Sequence, residues 1–140
     1  MQRRAWTRAS VLAVAFGAVA GAGVRWGVLT TMAPATGFPW RVFWINVLGS
    51  GALGVVLAEE WRHPGHRLIL HDAAGIGFCG GLTTFSTYGV EIADLLRDER
   101  VVLAVGYGVG SVGASLLAAV VGAASLRRVR ALSLPLEEEP

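Results

Sequence analysis

Four hydroxyl side chains, Thr83, Thr84, Ser86 and Thr87, crowd five consecutive positions immediately after Gly80 and Gly81. Residues of these types suit the handling of an ion better than the making or breaking of a bond. A glycine pair lets a helix unwind. Unwinding bares carbonyl oxygens, which coordinate a small cation, and N–H groups, which attract an anion. Phe85 and Tyr88 are three apart and project to neighbouring parts of one face of a resumed helix. The edge of an aromatic ring is electropositive and interacts favourably with an anion, although core packing is the plain alternative for any single ring. Four hydroxyls this close are not all satisfied cheaply in a continuous lipid-facing helix, so the run implies a break and a site.

Other polar groups lie in apolar surroundings. Asn46 is flanked by Phe43, Trp44, Ile45, Val47 and Leu48. Such an amide either clamps helices together or supplies N–H donors to a passing solute. Tyr107, Ser111 and Ser115 recur every four residues and share one helical face, a ladder of hydroxyls. A membrane serine usually bonds back to its own helix, so the ladder alone is a weak signal. Arg25 and Glu91 are charges near the ends of apolar runs: Arg25 snorkels or raises anion concentration at a pore mouth, and Glu91 caps or pairs within the bundle.

The elements that position these groups are membrane spans. The 140 residues are 54% hydrophobic and 16% charged, with a mean hydropathy of +0.55, and a soluble domain of this size needs far more charge on its surface. All 12 basic residues are arginines clustered near the ends of apolar runs, which excludes a nucleic-acid groove and predicts membrane-flanking charge. Four spans are expected: about Ser10 to Thr30, Trp40 to Ala58, Leu68 to Ile92 with a break in the middle, and Val101 to Leu126. Arg3 and Arg4 ahead of an apolar run imitate a signal peptide, but the run is read as the first span. The expected organisation is a short N-terminal tail (1–9), a single four-helix transmembrane domain (10–126) and a C-terminal tail (127–140). The Arg62 to Gly65 stretch is a loop, and Glu137 to Glu139 form a solvated end. Four helices are too thin a bundle to enclose a wide pathway alone, so oligomerisation is expected.

Several alternatives fall away. Gly75, Gly77 and Gly80 match a dinucleotide fingerprint, yet the chain has neither the room nor the composition for a doubly wound fold. His63, His66 and His71 imitate a metal site but lie around a loop. Ser86 has no base within reach of its span, so enzyme activity is disfavoured. With one cysteine, Cys79, there is no internal disulfide.

The run from Gly75 to Tyr88, Asn46 followed by Gly49 and Ser50, and Gly21, Gly23 and Arg25 together resemble the small fluoride channel family called CrcB or Fluc, over residues 10 to 125. The resemblance implies an all-α integral membrane protein of four transmembrane helices with a broken third helix. Two subunits assemble as an antiparallel, dual-topology dimer in the inner or plasma membrane. It implies passive fluoride export that reduces fluoride toxicity. By the same resemblance, backbone carbonyls of Gly80 and Thr83 hold a structural sodium ion central at the dimer interface. The anion pathway falls on Asn46, Phe85, Tyr88, Ser111 and Ser115, with Tyr107 nearby, and Arg25 and Glu91 match recurrent family positions.

The physics fits that assignment. Fluoride holds its water strongly, so its path must replace hydration with closely spaced donors and present no carboxylate at the narrowest point. Two departures stand out: Tyr88 replaces a common phenylalanine, and Arg41 stands where the family often has a small residue, lining a vestibule or anchoring the helix. A cytoplasmic amino terminus would place eight arginines inside (3, 4, 8, 62, 67, 127, 128 and 130) against four outside (25, 41, 97 and 100). That bias raises a heterodimer with an oppositely inserted paralogue beside the homodimer. The competing classes are a small dual-topology multidrug transporter, which should carry an acidic residue in its first helix where this chain has none, and a non-conducting partner subunit.

Overall fold

The computed structural model describes residues 7–32, 37–59 and 69–133, and every regular element among them is helical. Helix α1 spans Arg8–Thr31. Thr7 opens it: its Oγ1 accepts the Ser10 N–H at 3.1 Å, satisfying one of the N–H groups that a helix start leaves over. Helix α2 spans Trp40–Ala58 and follows Pro39, whose missing N–H is no loss ahead of a first turn. Helix α3 covers 69–82: its middle, Asp72–Cys79, runs in π-helical turns, and its last turn, Gly80–Leu82, is α-helical. Helices α4, Ser86–Arg97, and α5, Val101–Ser133, complete the chain.

The turn between α4 and α5 closes with two bonds, Glu99 N–H to the Leu96 carbonyl at 3.1 Å and Arg100 N–H to the Leu95 carbonyl at 2.9 Å. This is a Schellman closure in which Glu99, at φ 59°, holds the left-handed position that usually belongs to glycine.

Helices α1, α2 and α5 are long and apolar enough to cross a membrane. Large apolar side chains such as Phe16, Val19, Val102, Val109 and Leu116 point outward from them, and the chain is a multi-pass membrane protein. The expected interruption of the third apolar run is present: Thr83, Thr84 and Phe85 are non-helical between α3 and α4.

Its place differs from the expectation that Gly80 and Gly81 unwind, since both stay helical. The reason is packing. Helix α3 lies along α1 with main chains in contact, and a Cβ on Gly81 would strike the Ala18 carbonyl, as one on Gly21 would strike that of Phe78. These glycines permit close approach rather than unwinding. A Cβ added to Gly23 or Gly27, the other small pair of α1, would meet nothing within 4 Å among the described residues.

Helix α2 packs along α5 in the same manner, with Gly54 against the Ala119 carbonyl and Gly122 against that of Gly51. Helix α5 continues past Leu126 to Ser133, where Arg130 pairs with Glu59 at the end of α2. At the opposite end an aromatic cluster closes the bundle: Phe38 sits 4.4 Å from Trp40 and 5.3 Å from Tyr107, ring centre to ring centre, over Leu95 and Ala104. Arg3, Arg4, the Arg62 to Gly65 loop, His63, His66, Arg67 and Glu137 to Glu139 lie outside the described residues.

Candidate ion site at the helix break

The break is held from two sides. The side-chain amide of Asn46 on α2 donates to the Thr84 carbonyl at 3.0 Å, and its Oδ1 accepts the Thr84 N–H at 2.8 Å. Arg25 on α1 donates through Nη1 to the Thr83 carbonyl at 2.9 Å. All four hydroxyls find partners, and three of them, Thr84, Ser86 and Thr87, find each other where the helix stops. Thr83 bonds back to the Cys79 carbonyl at 2.9 Å, and Thr84 Oγ1 accepts the Thr87 N–H at 3.2 Å, opening α4. Thr84 Oγ1 also lies 3.2 Å from Ser86 Oγ and 3.1 Å from Thr87 Oγ1.

This arrangement changes what Gly80 and Thr83 offer. In a continuous helix their carbonyls would accept the N–H groups of Thr84 and Thr87. Those two N–H groups are engaged by Asn46 and by Thr84 Oγ1 instead. Both carbonyls are thereby released from the helical ladder, which is the donor chemistry a sodium ion requires. The Arg25 bond takes one of the two lone pairs of the Thr83 oxygen and leaves the second. No trio of His, Cys, Asp or Glu side chains is grouped for a metal among the described residues.

Beside the break a cleft of about 280 Å³ opens to the surface, lined by Asn46, Ser50, Thr83, Thr84, Phe85, Tyr88, Ser111 and Ser115 among others. It gathers five of the six expected pathway residues. Phe85 stands at its lip, 82% exposed. Ser111 is 3% exposed, and its Oγ has no hydrogen-bond partner among the described residues. An orphaned hydroxyl in such a cleft is a donor ready for a small anion.

Tyr107 is placed differently, fully buried behind Tyr88, with ring centres 5.3 Å apart, and it donates to a Glu91 carboxylate oxygen at 2.6 Å. The Tyr88 hydroxyl, 2.8 Å from the Gly108 carbonyl, donates to it.

Arg41 has two sets of neighbours. Its Nη1 donates to the Leu29 and Met32 carbonyls at 2.9 and 3.0 Å, tying the end of α1 to the start of α2. It also lines a second, more polar cleft of about 260 Å³ with Glu91, Asp94, Asp98 and Arg100. Sequence reasoning missed the pairing of Thr84 with Asn46, the π-helical turns and the Gly108 acceptor. Only the first had a signal, since Thr84 stood in the hydroxyl run.

Residues 12–123 match the family model described as CrcB-like protein, Camphor Resistance (CrcB). The chain belongs to the CrcB family. Relatives of this CrcB-family chain include the Fluoride-specific ion channel FluC 2 of Nocardia farcinica, 42% identical over 123 residues, 85% of this chain and 86% of the relative. The Fluoride-specific ion channel FluC 1 of Streptomyces coelicolor is 40% identical over 132 residues, 91% of this chain and 84% of the relative. The Fluoride-specific ion channel FluC of Bordetella bronchiseptica is 37% identical over 116 residues, 83% and 90% respectively. The CrcB match bears out the family resemblance and covers the stretch that contains every site residue named above.

Proposed function

We propose that this protein is a fluoride-specific ion channel that lets fluoride leave the cytoplasm passively and so limits its toxicity. The likeness over most of both chains to proteins named fluoride-specific ion channels carries the reading. The chemistry of the cleft supports it. Asn46 uses one amide N–H on Thr84, and a primary amide has a second; Ser111 has an uncommitted hydroxyl; Phe85 and Tyr88 supply ring edges. Among the described residues no carboxylate lines that cleft, since Glu91 opens on the other one. A dehydrated anion meets donors and no repelling charge. The protein is a channel and not an enzyme.

The finer organisation is part of the same proposal. Helices α3 and α4 together form the third of four spans in a transmembrane domain of residues 10–126, in the inner or plasma membrane. Two copies assemble antiparallel, each covering the other's open cleft and exposed Phe85. The Gly80 and Thr83 carbonyls of one copy are too few for a sodium ion, and a second copy doubles them. The ion supplies fixed positive charge at the interface and is not transported.

A heterodimer with an oppositely inserted paralogue is the second reading, favoured by the arginine asymmetry of eight to four. Reconstitution of the singly expressed chain into liposomes, with fluoride-electrode efflux and chloride as control, tests both. Fluoride efflux without chloride efflux is expected. No efflux above empty vesicles sinks the channel reading for the lone chain, and recovery on adding a paralogue would move the assembly to the heterodimer.

A further inference from the structure

Tyr88 borders two cavities at once. On one side is the polar cleft with Asn46 and Ser111; on the other is an apolar groove of about 670 Å³ between α4 and α5, lined by Ile92, Val105, Gly108 and Val109 among others. Its ring lies between Phe85, at 5.6 Å, and the buried ring of Tyr107, at 5.3 Å. Its hydroxyl does not reach into the cleft as a donor. It crosses to α5 and donates to the Gly108 carbonyl at 2.8 Å. A Cβ at Gly108 would sit 3.5 Å from the Tyr88 hydroxyl and from the Ile92 Cδ1, ordinary packing contact, so the bond is tightly surrounded without depending on glycine there.

We infer that Tyr88 is a positioning residue, a latched wall between cleft and groove, whose hydroxyl is withheld from the anion so that only the ring faces the pathway. The inference rests on the cleft being the fluoride path. A swing about χ1 would carry an unlatched ring into the groove, and the bond to Gly108 opposes that swing. Loss of the ring altogether joins the two cavities into one space wide enough for a larger anion. The phenol oxygen, in contrast, contributes nothing to replacing the ion's hydration.

The test uses the full-length channel in liposomes, with fluoride and chloride efflux measured per active vesicle and thermal melting measured on the same preparations. Tyr88→Phe keeps the ring and loses the latch, and is expected to lower the melting temperature by a few degrees, since one part-buried bond is lost, and to raise the chloride-to-fluoride flux ratio about two- to threefold, since the unlatched ring can swing. Tyr88→Ala is expected to raise the chloride-to-fluoride flux ratio at least about tenfold, a change of ~1.4 kcal/mol in discrimination. A tenfold or larger loss of fluoride efflux in Tyr88→Phe places the hydroxyl on the path and overturns the latch. Intact chloride exclusion in Tyr88→Ala overturns the wall. Absence of fluoride efflux in the wild type defeats the channel reading instead, so the two failures are distinguishable.

Discussion

Asn46 and Thr84 bond to each other twice, amide N–H to carbonyl and amide oxygen to main-chain N–H, across 38 residues of sequence. The side chain thus replaces a strand of backbone beside the break. Asn46→Ala should leave both Thr84 groups unsatisfied in an apolar bundle and lower stability by about 2–4 kcal/mol, read by thermal melting in detergent. Asn46→Asp keeps the acceptor, removes the donor and places a carboxylate in the cleft, so fluoride efflux is expected to fall at least about tenfold. Efflux at the wild-type rate would remove Asn46 from the pathway.

Replacement of sodium by N-methylglucamine at constant ionic strength is expected to lower the melting temperature of the assembled channel, with recovery when sodium returns. Insensitivity to the exchange would remove sodium from Gly80 and Thr83. Arg25→Ala frees the lone pair of the Thr83 carbonyl that the guanidinium occupies and is expected to lower stability by about 1–3 kcal/mol through loss of a charge-assisted bond.

Gly21 meets the Phe78 carbonyl and Leu82 nitrogen of α3, main-chain atoms that cannot step aside. Gly21→Val should therefore separate α1 from α3 and destabilise by about 1–3 kcal/mol or more. A Cβ at Gly23 on the same helix meets nothing within 4 Å among the described residues, so Gly23→Val is expected to cost far less. Melting curves of the two variants side by side check the contrast, and equal losses would contradict it.

Arg41 bridges the last carbonyls of α1 from the first turn of α2. Arg41→Ala is expected to raise amide hydrogen exchange at residues 28–32 about tenfold by fraying that end, with little change in fluoride selectivity. Arg41→Lys should restore part of the protection, because both bonds leave a single nitrogen and an ammonium also carries more than one donor. Unchanged exchange in Arg41→Ala would show that the tie is dispensable.

Glu99 occupies a left-handed position without being glycine. Glu99→Gly should raise stability by about 0.5–1 kcal/mol at no expense to efflux, measured by melting and by the electrode assay. A lower melting temperature would mean that the Glu99 side chain contributes more than its backbone strain removes.

How far the sequence could be read depended on the range of the forces involved. The second span was legible to the residue, Trp40 to Ala58, because Pro39 and an acidic end bracket an apolar run. The break beyond Leu82 was legible because hydroxyls must find partners. The exact turn that opens was not, since Gly80 and Gly81 look the same whether they unwind or press against another helix; only the position of α1 separates the two. The site followed the same rule. Residue type marked Asn46 and Ser111, whereas burial of Tyr107 and the committed hydroxyl of Tyr88 depend on where α5 lies beside α4, which no local pattern records.

The π-helical turns of Asp72–Cys79 bear on chain length. A ring closed from i to i+5 holds one residue more than a ring closed from i to i+4. The segment therefore contains slack, a residue beyond what an α-helical route between the same two ends would need. Deletion of Ile76, which is exposed, is an edit this helix should absorb by tightening, with the break, the clamp and the cleft left in register; the same deletion in α2 would rotate Asn46 away from Thr84.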